Sequence, residues 1–291
     1  MITLLPFYRE ITDYGKEPIW VHKLKDFNYP LMLSQLYDTY ARISIDEHTL
    51  PMKDVKFLVN TDEKTKFNTK FERVDILEDD DGNEYEKVIK RTFRNDVSDL
   101  SLIESKVVAE TNAVNKVKGK LILCGVDHLI RRDVHLLFEI EPDFDIAISV
   151  RKQKKVNNAI VFINDRNPDA VKKFFKKRKN LYYEIAGKKD KGHKNWEWYG
   201  DQLVYDEMFK DFRDPDTKKY VIGKHKYNID KENELTILIY PYGSEYVGTP
   251  DAFHYYRHAI IYDFKGLKRK EWIQKGFHNL FGNTEIQPYF I

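Results

Sequence analysis

The sequence predicts an α/β fold in which a mixed, mostly parallel central sheet is flanked by helices. Three observations predict it. Helical and strand-like segments alternate through the first two thirds of the chain, and strand-like segments gather in the last third, as in a sheet with an antiparallel part. Lys120 to Cys124 is a continuous apolar run of the kind shown by a central strand covered on both faces. The 291 residues are 42% hydrophobic and 33% charged, enough for a sizeable core and unlike a collagenous or disordered chain. No Pro-, Ser- or Gly-rich linker interrupts them, so one domain over 1–291 is expected.

Pro18 to Leu24 alternates like a half-buried strand. Pro30 to Ile43 puts Leu31, Leu33, Leu36, Tyr37 and Tyr40 on one helical face, with Pro30 suited to the first turn. Val55 to Val59 is a short apolar strand ended by Asn60-Thr61-Asp62, which completes a strand-helix-strand unit with an expected right-handed crossover. Over about 71–93, Asp81-Gly82-Asn83 separates two alternating segments and predicts an inserted β-hairpin. Ser98 to Val117 has helical spacing and stops near Gly119.

Beyond the central strand, Arg131 to Ile140 reads as a short helix, Asp145 to Val150 and Ala159 to Ile163 as strands. Asp169 to Leu181 and Glu197 to Phe212 read as helices. Tyr220 to Ile229, Leu235 to Tyr240 and Ala259 to Tyr262 are strand-like, and Lys268 to Phe277 is a basic helix.

Charge excludes little. Forty-nine Lys and Arg against 47 Asp and Glu leave +2, so no global field draws the chain to nucleic acid, although a local patch can. One cysteine, Cys124, excludes an internal disulfide framework and a cysteine-based zinc site, which points to a reducing, cytoplasmic setting. The N-terminal apolar run is too short for a secretory signal, and no 18-residue apolar stretch predicts a membrane span. The aromatic content of 14% either fills a core or lines a cleft that stacks on rings or sugars.

Ligands of open α/β sheets bind beyond the carboxyl ends of the strands. The informative ends are His22-Lys23, Asn60-Thr61-Asp62, Gly125-Val126-Asp127-His128 and Asp263-Phe264-Lys265-Gly266. An acid after a buried strand, such as Asp127, suits a metal or ribose ligand, and equally suits a turn or a helix N-cap.

Five blocks stand in order between Leu121 and Lys270: LILCGVDHLIRRDVHLLFE, Phe144 to Ala147, Val156 to Phe162, Tyr199-Gly200-Asp201-Gln202, and Ala259 to Lys270 (AIIYDFKGLKRK). This ordered set resembles the nucleotide-diphosphosugar glycosyltransferases of the GT-A fold. In that family the central strand ends in an Asp-x-Asp metal motif before a short helix, and a late strand ends in His-Phe-x-Gly. Two positions depart from the pattern: Gly125 stands where the first Asp is expected, and Asp263 where the late His is expected.

The resemblance implies a GT-A-like enzyme, a hexosyl- or pentosyltransferase moving sugar from a nucleoside diphosphate sugar, first of all a UDP-sugar, to a hydroxyl. It implies a divalent cation, Mn²⁺ or Mg²⁺, on Asp127 and Asp263 where their loops meet, with His128 offering a nitrogen that suits manganese. Where the loops do not meet, Lys265, Lys268 and Arg269 would neutralise the leaving diphosphate. Lys265 is then the leading group for leaving-group charge, and Asp201, with Gln202 beside it, the general base or the holder of the acceptor hydroxyl. His22, Asp62, Lys106, Asp127, Asn157 and Asn158 are implied on the donor side, with Asp62 at the base or ribose and the two asparagines at sugar hydroxyls. Trp196, Trp198 and Tyr199 are implied on the acceptor side, where rings can stack.

Residues 172–194 hold ten Lys/Arg and two acids, next to Trp196 and Trp198. Such a run is either a solvated helix face or a surface that holds phosphate backbones and bases. The second reading points to a hydroxymethylated base of phage DNA as acceptor. A saccharide acceptor in polysaccharide synthesis, and an inactive GT-A-like protein that binds nucleic acid or glycan, are the alternatives.

Overall fold

The computed structural model describes residues 1–12, 14–17, 21–46, 55–67, 75–78, 84–87, 91–186, 196–249, 259–265, 270 and 273. In chain order its elements are β1 (Ile2–Pro6), α1 (Tyr29–Asp46), β2 (Val55–Asp62), β3 (Asp75–Glu78), β4 (Glu84–Lys87), β5 (Arg91–Asn95), α2 (Leu102–Lys116), β6 (Lys120–Cys124) and β7 (His128–Ile130). They continue as α3 (Leu136–Glu139), β8 (Ile146–Arg151), β9 (Lys155–Ile163), α4 (Pro168–Ala186), α5 (Trp196–Met208), β10 (Gly223–Asn228), β11 (Glu234–Pro241), β12 (Val247–Gly248) and β13 (Ile261–Asp263).

Eight strands form the central sheet in the order β10-β11-β8-β9-β6-β1-β2-β5. Pairing is parallel for β1 with β2 and β6, β2 with β5, and β8 with β11. It is antiparallel for β9 with β6 and β8, and for β10 with β11. Only β9 and β10 are reversed, so six of the eight strands end at one edge. That is the mixed, mostly parallel sheet read from the sequence.

Alternation along the strands divides the core between the two faces. Leu4, Ile122, Ala147, Phe162 and Leu238 pack with α1, α3 and the small sheet β12-β13-β7. Leu5, Leu121, Leu123, Ile148, Val161 and Ile237 pack with α2, α4 and α5. Because both faces are covered, the strands read as apolar runs rather than alternating ones.

This explains the largest correction to the sequence reading. The strand that opens the sheet is β1, all five of whose residues are buried, and not Pro18 to Leu24. Residues 18–20 lie outside the described set, and Val21–Leu24 form a 3₁₀ turn. A three-residue period superposes Val21, which is buried, with Leu24, which is half-buried, and leaves His22 and Lys23 exposed. Two smaller corrections follow the same logic. Arg131 to Ile140 yields only the single turn α3, preceded by β7, because His128 to Ile130 pair antiparallel with β13. The late strand belongs to that small sheet rather than the central one. The hairpin is β3 paired with β4, while Arg91 to Asn95, partly inside the expected insertion, join the central sheet beside β2. Of the basic helix at 268–277, only 270 and 273 are among the described residues, and both are helical.

Candidate active site

The carboxyl edge carries a cleft of about 230 Å³. Phe7, Tyr8 and Arg9 enter it after β1, and Gly125 to His128 after β6; α2 contributes Lys106, α5 contributes Asp201 and Gln202, and Lys265 and Lys270 close the far wall. Tyr8, Ile11, Leu24 and Tyr29 make one part apolar.

Asp127, His128 and Asp263 converge there, each with a ligand atom within 4.8 Å of the others. The pairing of His128 with Asp263 in the β7–β13 ladder brings two distant loops together. Gly125 O lies 3.0 Å from His128 Nδ1. A carbonyl only accepts, so Nδ1 carries the proton and the lone pair sits on Nε2, which faces Asp263 Oδ1 at 3.5 Å. His128 Nε2 and Asp263 Oδ2 are buried and have no hydrogen-bond partner among the described residues. Burial pushes the Asp127 carboxyl up, but Lys270, which contacts its Oδ2, and His128 outweigh this and hold it well below the carboxylate range. Unsatisfied acceptors around an ionised carboxylate fit a divalent cation.

Gly125 leaves room for this arrangement of side chains. A Cβ there would stand 2.7 Å from Asp127 Oδ1 and 3.6 Å from His128 Cε1. Asp127 Oδ1 thus lies where a side chain at 125 would begin, and His128 and Asp263 offer ligand atoms beside it.

A second group of charges lies beside the first. Lys106 Nζ donates to Asp201 Oδ2 at 3.0 Å, and Asn158 Nδ2 donates to the same oxygen at 2.8 Å. Burial raises the Asp201 carboxyl, yet Lys106 and Lys265 bring it down to about 2. Lys265 Nζ donates to Asn157 Oδ1 at 3.2 Å and, with the Gln202 amide turned to its hydrogen-bonded orientation, to Gln202 at 3.1 Å. Burial lowers the Lys265 ammonium to about 8 despite Asp201. The β9 strand makes this possible. Its register against β8 shifts between Ile148 and Ser149, a bulge after which Asn157 serves Lys265 and Asn158 serves Asp201.

Behind Lys106 lies Glu110 at 3.8 Å, itself paired with the fully buried Arg178 at 2.7 Å. Removing one member of a buried pair strands the other, so Arg178→Met is expected to cost about 3–5 kcal/mol of stability, read as a lower urea midpoint. An unchanged midpoint would show that the pair contributes nothing.

Neither a protein-family model nor a curated protein sequence matches the chain. Solved structures do. The galactosyltransferase LgtC, in complex with donor and acceptor sugar analogs, is similar with a TM-score of 0.51 at 12% identity, over 96% of this chain and 95% of that one. A glycosyltransferase involved in the glycosylation of the major capsid of PBCV-1 gives 0.47 at 11% identity, over 94% and 98%. The glycosyltransferase GlyE of Streptococcus pneumoniae TIGR4 gives 0.46 at 12% identity, over 94% of this chain and 59% of that one. The chain has a GT-A-like fold.

Within this GT-A-like fold, Lys106, Asp127, Asp201, Gln202 and Lys265 line the cleft, with Asn157, Asn158 and Asp263 directly behind them. His22 and Asp62 do not line it. His22 is exposed, with Nε2 2.9 Å from Tyr14 O, and Asp62 accepts from the Thr65 amide at 2.7 Å and Ser98 Oγ at 3.0 Å. Tyr199 is 40% exposed on α5. Trp196 and Trp198 open α5, and their side chains, like Lys268 and Arg269, lie outside the described residues. Sequence reasoning missed Lys270, Tyr29, Arg9, Glu110 and Arg178. Only Arg178 carried a signal: Val171, Phe174, Phe175, Arg178 and Tyr182 share helical spacing, which puts an arginine on the buried stripe of α4 in need of an acid.

Proposed function

We propose that the chain is a glycosyltransferase that moves a sugar from a nucleoside diphosphate sugar, with uridine tested first as the nucleoside, to a hydroxyl acceptor. The observation that carries this reading is the convergence of Asp127, His128 and Asp263 at one end of a cleft whose wall also holds Lys265 and Lys270. Asp127, His128 and Asp263 would hold Mn²⁺ or Mg²⁺, which supplies positive charge to a diphosphate.

The chain's own groups then have separable tasks. The bond from the sugar carbon to the diphosphate breaks, the bond to the acceptor oxygen forms, and the acceptor proton is lost to solvent. Lys265 and Lys270 neutralise the departing diphosphate. Asp201, held near 2 by its cationic neighbours, is a weak base, and we assign it to fixing Lys106 and Asn158 and to receiving sugar hydroxyls on its second oxygen, Oδ1, which has no hydrogen-bond partner among the described residues. Asn157 and Asn158 support the sugar side, and the apolar end near Tyr8 and Tyr29 receives the base.

The DNA version of the acceptor has no support from α4. Lys172 pairs with Asp169 at 3.0 Å, Lys173 with Asp230 at 3.8 Å, and Lys177 donates to Ile229 O at 3.2 Å. Four of the six described basic residues of the run, Arg178 with Glu110 included, thus have local partners, and we assign the acceptor only as a hydroxyl-bearing molecule. Among the described residues no helix is long and apolar enough to cross a membrane.

Thermal unfolding tests the donor. UDP with Mn²⁺ or Mg²⁺ is expected to raise Tm by about 5 °C at 100-fold excess over Kd, and UDP alone by less. No rise under either condition would refute the uridine donor, and no rise with any of UDP, GDP, ADP or CDP would refute the transferase reading.

A further inference from the structure

Beyond the cleft, the same edge of the sheet presents a group of hydrogen-bond donors without partners among the described residues. Ser149 of β8 pairs with Asn157 of β9, and Arg151 with Lys155, so Arg151 and Asn157 project from one face of the sheet as diagonal neighbours. Tyr240 of β11 pairs with Ser149, and Tyr242, two residues on, lies under the guanidinium, with Arg151 Cζ 4.7 Å from its ring centre. The Arg151 atoms Nε and Nη2 are buried and have no hydrogen-bond partner among the described residues; neither has Asn157 Nδ2. Buried donors are nearly always paired, and a buried guanidinium most of all, so unpaired ones mark the place of a ligand group. Asn157 Oδ1 is taken by Lys265, which also lines the donor cleft, so these donors adjoin the reacting end of the donor. Of the acids that act on Lys265, Asp201 is held by Lys106 and Asn158, and Asp263 has its Oδ1 engaged by the Lys265 amide at 2.7 Å. Two guanidinium nitrogens and an amide nitrogen without partners among the described residues, beside an ammonium, select an anion, which the planar fork of arginine meets in bidentate fashion.

We infer that Arg151, Asn157 and Lys265 form an anion subsite beside the donor cleft, and that the acceptor hydroxyl belongs to a molecule carrying a phosphate or a carboxylate. The inference rests on the glycosyl-transfer reading for the word acceptor, but the subsite itself does not.

Calorimetric titration decides it. Protein saturated with UDP and Mg²⁺ is titrated with inorganic phosphate and, separately, with glucuronate. At least one is expected to bind, and at least tenfold more weakly to Arg151→Gln, while the UDP-induced rise in Tm stays the same. Binding of phosphate alone identifies a phosphorylated acceptor, and of glucuronate alone a carboxylated one. Equal affinity in both proteins, binding of neither probe, or binding that UDP abolishes would overturn the subsite; the last outcome would give these donors to the diphosphate. Should Arg151→Gln fail to fold, Arg151→Lys retains the charge without the fork and is expected to weaken binding as well. If UDP causes no rise in Tm, the donor reading falls, and phosphate titration in its absence still measures the dependence on Arg151.

Discussion

Asp127→Ala is expected to lose the metal-dependent part of UDP binding and at least about 100-fold of UDP-sugar turnover. In the proposed cation site this carboxylate has its Oδ1 3.7 Å from His128 Nδ1 and its Oδ2 against Lys270. Its removal leaves His128 and Asp263 as two ligands, too few for a hard cation at a diphosphate. It also leaves Lys270, which lies 5.3 Å from the ring centre of Tyr29, without its carboxylate. Asp127→Asn keeps the volume and is expected to lose as much turnover, which separates charge from packing. The measurement is the Tm rise with UDP, with and without Mn²⁺, beside hydrolysis of a UDP-sugar. Wild-type values for both would remove Asp127 from the site.

Lys265→Met is expected to lower turnover by about 10²–10³, the size of effect seen when one preorganised donor to a developing charge is deleted. Its pH dependence has a definite sign. With burial holding the ammonium near 8 against an ordinary 10.5, turnover falls as pH rises through about 8, because the deprotonated amine no longer balances the diphosphate. Stability moves the other way. Between pH 8 and 10.5 the unfolded chain binds more protons than the folded one, so this group's contribution rises with pH over that window, and the cost of burying its charge is fully present below 8. Lys265→Met is therefore expected to be at least as stable as the natural chain at pH 7 while being the poorer enzyme. Activity and urea midpoints measured from pH 6.5 to 9.5 test both signs together. A variant that lost stability and turnover in parallel would mark Lys265 as structural only.

Much of the architecture was legible because the sheet is covered on both sides. Lys120 to Cys124 reads as a central strand and is one, between β1 and β9. The same coverage hid β1, whose ITLLP is too short to separate from any apolar stretch, and drew attention to the alternation at 18–24. At the site, Asp127, Asp201, Gln202 and Lys265 were legible from their order along the chain. The partners that set their charge states were not. Lys106 reaching Asp201 spans 95 residues, and Lys270 reaching Asp127 spans 143. Spacing along a sequence carries no trace of such contacts. Arg151 was invisible for another reason: its significance lies in donors left unpaired, and that is a property of the packed molecule.

Gly125 has a consequence for anyone who would alter this cleft. A side chain inserted at 125 moves Asp127, because its Cβ would stand 2.7 Å from Asp127 Oδ1. The two positions are coupled: the effect of a side chain at 125 depends on where the Asp127 carboxylate can turn. A laboratory lineage that places an acid at 125 would therefore change two groups at once, since the substitution moves the carboxylate already present at 127.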